Sequence, residues 1–318
     1  MEENVDRLGP LVRRWGLPVD QLPSETASLD ELQALAEAIL GEALPFIDTA
    51  LPLETRKYWK SKGEKSSRAS AAPVEVLERV VSAKVLRTIA SEHALQYKAE
   101  EEKWVARLSV HKDAPKKGTA TWEEFDRSFR LEHAKTEMGF TPAVIGAYEA
   151  QQWDCSDIEV DSARKIWGDF SLVVVEMRHK IGRPLLKDRT FPVLQLSCAV
   201  KEDFSLPVKD DISPSEFVIV SIPVPDFATS DKANLSKEKG AQIATYVSIE
   251  RIRKLVDGKI EWLMSTASDA GGILPLWMQN KALGGIVWKD VPLFMRWIAN
   301  EREFRAPGQP GRPVDIAV

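Results

Sequence analysis

The sequence predicts an α+β fold: a curved antiparallel sheet around a long C-terminal helix that encloses a hydrophobic cavity, with extra helices ahead of the sheet. Three observations lead there. Strand-like segments follow one another between 171 and 268 with no helical period between them, and strands joined without crossover helices pair antiparallel. After them Val291, Phe294, Met295 and Ile298 fall at i, i+3, i+4 and i+7, the stripe of a helix with one apolar face. Two further apolar stripes precede the sheet. A sheet wrapped on a helix leaves space wherever the side chains between them are small, and such clefts are mostly apolar with a few polar groups.

Composition narrows the function classes. The 318 residues are 44% apolar and 29% charged, the balance of a globular chain with one large domain or two small ones. A net charge of -5 provides no global basic field for nucleic acid, so no nucleic-acid partner is expected. There is no run of eighteen apolar residues, hence no expected membrane-spanning helix. The opening MEENVDRLGP is acidic and has no apolar core, so it does not read as a secretory signal. Cys155 and Cys198 are the only cysteines; a reducing, cytoplasmic setting is the simplest reading. Two cysteines and four scattered histidines (His93, His111, His133, His179) do not form a four-ligand zinc set, and neither metal nor cofactor is expected. Nucleophile-elbow, phosphate-loop and dinucleotide fingerprints are absent from the sequence, which sets aside serine-hydrolase, kinase and Rossmann readings.

Residues 1–27 carry three prolines and no sustained period, as an irregular arm does. A helix is expected from Ser28, whose hydroxyl and Glu31 form a capping box, with Leu32, Leu35 and Ile39 on one face. The Lys/Ser/Gly-rich stretch 60–73 reads as a flexible segment, and 74–99 as a helix with Leu77, Val81, Val85 and Ile89 four apart. Residues 1–99 are therefore expected to pack on the main body, 100–302 to form the ligand-binding domain, and the Pro/Gly-rich 303–318 to be a disordered tail. Within the body, 102–111 alternates as a strand, and 119–138 is a helix capped by Thr121 with Glu124 three residues on. Strands then follow at 171–181, 189–200, 216–224, 242–255 and 259–268. Gly271-Gly272 turns the chain off the last strand into a helix opened by Pro275, either as a hinge to a lid or as an ordinary turn. Asp290 caps the final helix, with Pro292 in its first turn.

Four motifs occur in order: WVARLSVH (104–111), GTATWEEFD (118–126), YVSIERI (246–252) and TASDAGG (266–272). With WDCSDIEVDSARKIWGDFSLVVVEM and RPLLKDRTF between them, the segment 100–302 resembles the fungal START-like domain family. That family lies within the START / birch-pollen-allergen-like helix-grip superfamily. Any one motif is weak; four in order are fairly specific. The resemblance implies a deep hydrophobic cavity between sheet and C-terminal helix, but no universal reaction, since such cavities carry lipids, bind hormones or cyclise polyketides. HKIGRPLLKDRTF (179–191) departs from the family pattern at Gly182-Arg183, where an apolar pair is usual, so a shared ligand does not follow.

Alternation puts Val173, Val175, Met177 and His179 on one face of their strand, the apolar one. His179 at the cavity edge could bond a ligand or act as acid or base; the alternative is a structural histidine at a strand end. Glu250 and Arg251 point to opposite faces, and Arg251, in register with Val247 and Ile249, is the chosen inward anchor for an oxyanion, the alternative being the solvated side. His179 and Arg251 are thus the catalytic candidates. Tyr246, Trp262, Met264, Thr266, Trp277, Met278 and Phe294 complete the expected lining, as core, cavity wall or both. Arg107 shares a face with Ser109 and His111, opposite Trp104, Ala106 and Leu108, and is expected to meet water. Asp269 reads as a turn or cap carboxylate.

The leading expectation is a module that binds one hydrophobic or amphipathic small molecule of lipid, sterol, polyketide or terpenoid type, with transient membrane contact compatible with that role. The alternative is an enzyme of the same fold, a cyclase or isomerase of fungal secondary metabolism; a third reading is an interaction scaffold whose cavity has collapsed. Converging polar groups would mark the enzyme, a greasier cavity with a mobile lid the carrier, and no void the scaffold. No oligomeric state is assigned.

Overall fold

In a computed structural model, the described residues are 9–51, 57–97, 100–180, 187–204, 215–240, 242–269 and 284–305. The readings that fall on Gly271-Gly272, the helix opened at Pro275, Trp277, Met278 and most of the 303–318 tail lie outside them.

The chain opens on a long helix, α1 (Leu29–Asp48), started by the anticipated Ser28–Glu31 capping box. Then come β1 (Lys60–Lys65), β2 (Val74–Val81), α2 (Ala83–Glu92) and β3 (Glu102–His111). Two expectations are corrected here. Lys60–Lys65, expected as part of a loop, is a strand with all six residues exposed; its lysines blunt what is an edge of the sheet. Val74–Val81, expected as the start of a helix, is a strand because neighbours on opposite faces are both buried. Leu77 joins the core under α1, while Val76 packs with Val105 and Val287. Two-sided burial hides the period-2 signal, and four valines in eight positions favour the extended chain.

The helix expected over 119–138 is broken. Thr121 and Glu124 form their capping box, but α3 (Trp122–Phe125) gives way to a π-helical turn at Asp126–Leu131, and α4 (His133–Phe140) restarts after Glu132 leaves helical geometry at φ -123. The remaining strands are β4 (Val144–Trp153), β5 (Val160–Ser162), β6 (Lys165–His179), β7 (Arg189–Asp203), β8 (Glu216–Pro223), β9 (Gln242–Ile243), β10 (Thr245–Lys254) and β11 (Ile260–Asp269). The final helix is α5 (Asp290–Arg305).

The strands form one sheet in the order β1-β2-β3-β11-β10-β8-β7-β6-β4. Pairing along this path is antiparallel, and the short β9 adds to β7 in parallel. α5 packs against this antiparallel sheet through Val291, Phe294, Met295 and Ile298, which share a core with Phe217, Ile252 and Trp262. The opposite face is covered as well. There Ile39, Leu40, Leu44 and Ile47 of α1 share a core with Trp104, Ala106, Leu172, Val174, Val247, Ile249 and Leu263. The large apolar residues on β3 thus face α1, and this leaves the other face to the site. Among the described residues, no helix is long and apolar enough to cross a membrane.

Candidate functional site

Register sets out the sheet side of the site. Residues paired directly across strands share a face, and three consecutive rows run across the α5 side of the sheet. The first is Arg107–Met264–Glu250–Ile219, the second Val105–Thr266–Ser248–Ser221, and the third the pair Ser268–Tyr246. Beyond Val105 the middle row is made of small hydroxyl residues, where neighbouring rows carry Met, Ile and Tyr. With Trp262 filling one side and Phe191 and His179 the other, the small row leaves a cavity of about 220 Å³. Its far wall is the broken helical segment, which contributes Phe129, His133, Glu137 and Phe140, and the start of α5 contributes Asp290.

One end of this cavity is charged. Arg107, only 3% exposed, donates through Nη2 to Glu250 Oε1 at 3.0 Å and lies with Nε 3.6 Å from Asp290 Oδ2. Trp262 Nε1 donates to the same Glu250 oxygen at 2.6 Å, and the Arg107 guanidinium stacks 4.0 Å from the Trp262 ring centre. Even so, Arg107 Nε and Nη1 are buried and have no hydrogen-bond partner among the described residues. Two desolvated donors are costly in that state, so this is the place where an acceptor oxygen would gain most.

Across the void, His133 and Glu137 sit at i, i+4 on α4, 3.6 Å apart, and His133 Nδ1 is 3.0 Å from the Phe129 carbonyl oxygen. Burial works against the imidazolium, but the bond and charge of Glu137 outweigh it, so the His133 pKa stands above its ordinary value; Glu137, in spite of burial, is held below its own. His179 stands edge-on to Phe191 at 5.0 Å, and burial pushes it down, against the pull of Glu137. Burial also pushes the Tyr246 phenol up, and its hydroxyl bonds Ser221. Asp290 is a carboxyl poised to change charge near neutral pH. Burial raises it to about 7; Arg107 pulls it down and the carboxylates of Glu137 and Glu250 push it up.

Of the residues singled out from sequence, His179, Tyr246, Met264 and Thr266 line this cavity. Val173, Val175 and Met177 are buried on the same face, in a cluster with Tyr246. Trp262 lies beneath the charged end, and Phe294 lies behind Phe129 and Trp262, at ring separations of 4.8 and 5.6 Å. Arg251 is turned the other way. It is paired across the sheet with Leu263 and bonded to Asp48 of α1. The choice between adjacent Glu250 and Arg251 therefore falls to Glu250. Arg107, expected in water, is buried in the cavity. Both corrections have one cause: α1 covers the face that the apolar residues of β3 and β10 define, so the polar phase of those strands faces the cavity. Phe129, His133, Glu137 and Asp290 were not read as site residues. The i, i+4 spacing of His133 and Glu137 was the available signal. Among the described residues no group of three or more metal-ligating side chains could hold an ion.

Three human structures are similar in overall path. STARD10 is 14% identical over 93% of this chain and 86% of that chain, with a TM-score of 0.49. The lipid transfer and protein localization domain of StarD13 (DLC2) is 15% identical, over 77% of this chain and 91% of that one, with a TM-score of 0.43. StAR-related lipid transfer protein 5 is 11% identical, over 86% and 98%, with a TM-score of 0.49. No curated protein matches the chain. Residues 104–298, which carry most of β3, the whole cavity sheet beyond it and most of α5, match the model of one family, and the chain belongs to that family, described as "Protein of unknown function (DUF3074)".

Proposed function

We propose that this chain binds one small amphipathic molecule in the cavity between the sheet and α5. The apolar body lies against Phe129, Phe140, Phe191, Ile219 and Met264, and an acceptor oxygen meets Arg107. The observation that carries the reading is a void with an aromatic wall that ends at a buried guanidinium with unpartnered donors. Apolar burial gives affinity at roughly 25 cal/mol per Å², and the polar end gives orientation. A lipid, sterol, polyketide or terpenoid fragment with one oxygenated end fits this description.

The test is titration of the protein with 1-decanol and decanoate, read through tryptophan fluorescence, since Trp262 lies at the floor. One saturable site is expected. Ser248→Phe, which fills the middle of the hydroxyl row, should abolish uptake with the melting point retained, while the near-isosteric Thr266→Val should bind. Uptake that never saturates, or is the same in Ser248→Phe, would overturn the reading.

A second reading, catalysis on such a molecule, is favoured by one observation. Asp290, a carboxyl poised near neutral pH, stands beside Arg107, where it can give or take a proton as the cation polarises an oxygen. Mass spectrometry of ligand recovered from wild type and Asp290→Asn separates the two. With chromatographic separation ahead of the spectrometer to resolve isomers of equal mass, a ligand of unchanged mass and retention in both means carriage; a change in either made by the wild type alone means catalysis.

A further inference from the structure

A second concavity, of about 560 Å³, lies along the later turns of α5 and shares no lining residue with the first. Three separate segments build it: the β1–β2 connection with Arg68 and Ala69, the β3–α3 connection with Pro115 and Lys117, and α5 with Arg296 and Ala299. Its walls are tied together. Arg302 donates to Glu124 through Nε at 2.6 Å and also through Nη2, and it reaches the carbonyl oxygens of Lys116 and Thr119 at 3.0 and 2.9 Å. The Ala71 amide donates to Gly118 O at 2.9 Å, which joins the two connections. Arg302 is thereby committed to the protein itself.

The other cations of the groove are not. Arg68, Lys117 and Arg296 are exposed, and among the described residues none of their side chains has a hydrogen bond or ion pair. Glu303 also lines the groove, so the rim stays positive in a chain whose net charge is -5. Single surface cations are common, but three of them, drawn from three segments to one concavity with an apolar floor of Ala69, Pro115 and Ala299, form a receptor for an oxyanion. The concave shape fits a discrete group better than a flat bilayer. We propose that this groove binds a phosphate-bearing small molecule, the phosphate between Arg68, Lys117 and Arg296 and an apolar portion on the floor.

The experiment titrates the full chain with phenyl phosphate by calorimetry at constant ionic strength, because screening alone weakens exposed charges. Phenol is the control without the anion. One saturable phenyl phosphate site and none for phenol are expected, with inorganic phosphate competing. Arg68→Gln combined with Arg296→Gln should weaken binding by about tenfold or more, as loss of charge-assisted bonds does, and Lys117→Gln by less. All three side chains are exposed, so melting points should stay within a degree or two of wild type. The proposal fails if phenyl phosphate does not saturate, or binds the double variant as tightly. It also fails if these residues recruit the protein to phosphatidylserine vesicles and phenyl phosphate does not compete, which would make the groove a bilayer contact.

Discussion

Arg107, Glu250 and Asp290 compete for one another's charge at the charged end of the cavity. Glu250 holds Arg107 at 3.0 Å and Asp290 only at 3.6 Å, so Asp290 receives the weaker attraction while it bears the cost of burial. Glu137 and Glu250 raise it further, with the result of a pKa of about 7 against 3.8 for the free side chain. His133, of raised pKa, and His179, of lowered pKa, are the other ionisable groups on this cavity that face it from α4 and β6. The linkage has a definite sign. Between these two pH values the folded chain keeps the Asp290 proton and the unfolded chain has lost it, so this group's contribution to stability falls as pH rises and levels off above about 7. Below pH 3.8 both states are protonated and the term vanishes. Asp290→Asn should remove the slope. The gap between the variant's urea midpoint and that of wild type should widen in the variant's favour from pH 4 to 7 and then hold. A gap that is constant with pH would show that Asp290 ionises freely.

At the scale of elements, an aromatic cluster anchors α5. Phe294 meets Phe125, Phe129, Phe140 and Trp262 at ring separations of 5.3, 4.8, 5.8 and 5.6 Å. These contacts join the last helix to both halves of the broken helical segment and to the sheet. Phe294→Ala should cost about 3–5 kcal/mol, the range for a fully buried aromatic that leaves a cavity, measured by urea denaturation at pH 7. A cost below about 1 kcal/mol would mean that the wall collapses to fill the space. The stripe of Val291, Phe294, Met295 and Ile298 was plain from sequence because a 3.6-residue period on one buried face survives any tertiary context. The interruption at Asp126–Leu131 was not, since a π turn inserts a residue into a continuous apolar pattern without a proline or glycine to mark it.

At the scale of the molecule, the N-terminal third completes the sheet. It supplies β1 and β2 at one edge and α1 over the face opposite the cavity. The irregular arm before α1 is tied in by a buried ion pair, Arg13 to Glu102 at 3.2 Å, with Trp104 Nε1 on the same carboxylate oxygen at 3.1 Å. Division into a segment 1–99 and a body 100–302 is therefore proposed as one of sequence and not of folding. The intact chain should unfold in a single transition, coincident by circular dichroism and tryptophan fluorescence. A fragment that begins at residue 100 should aggregate, because it exposes Trp104, Val247, Ile249 and Leu263 and leaves Glu102 without its partner. A soluble fragment with the melting point of the intact chain would restore two independent domains.

Much of this was legible before folding. Capping boxes at Ser28 and Thr121, alternation in β6 and β11 and the apolar stripe of α5 are local, so nearest-neighbour chemistry is enough to read them. The phase of each strand relative to the cavity is not local. Arg107 and Glu250 face inward because α1, more than fifty residues before β3, takes the apolar phase of both strands. A sheet covered on two sides gives no sequence sign of which cover is a core and which a cavity. The charged residues of the site come from β3, β10, α4 and α5; the pairing register that sets Arg107, Met264 and Glu250 in one row brings the first pair within reach, and the packing of the helices on the sheet brings the rest.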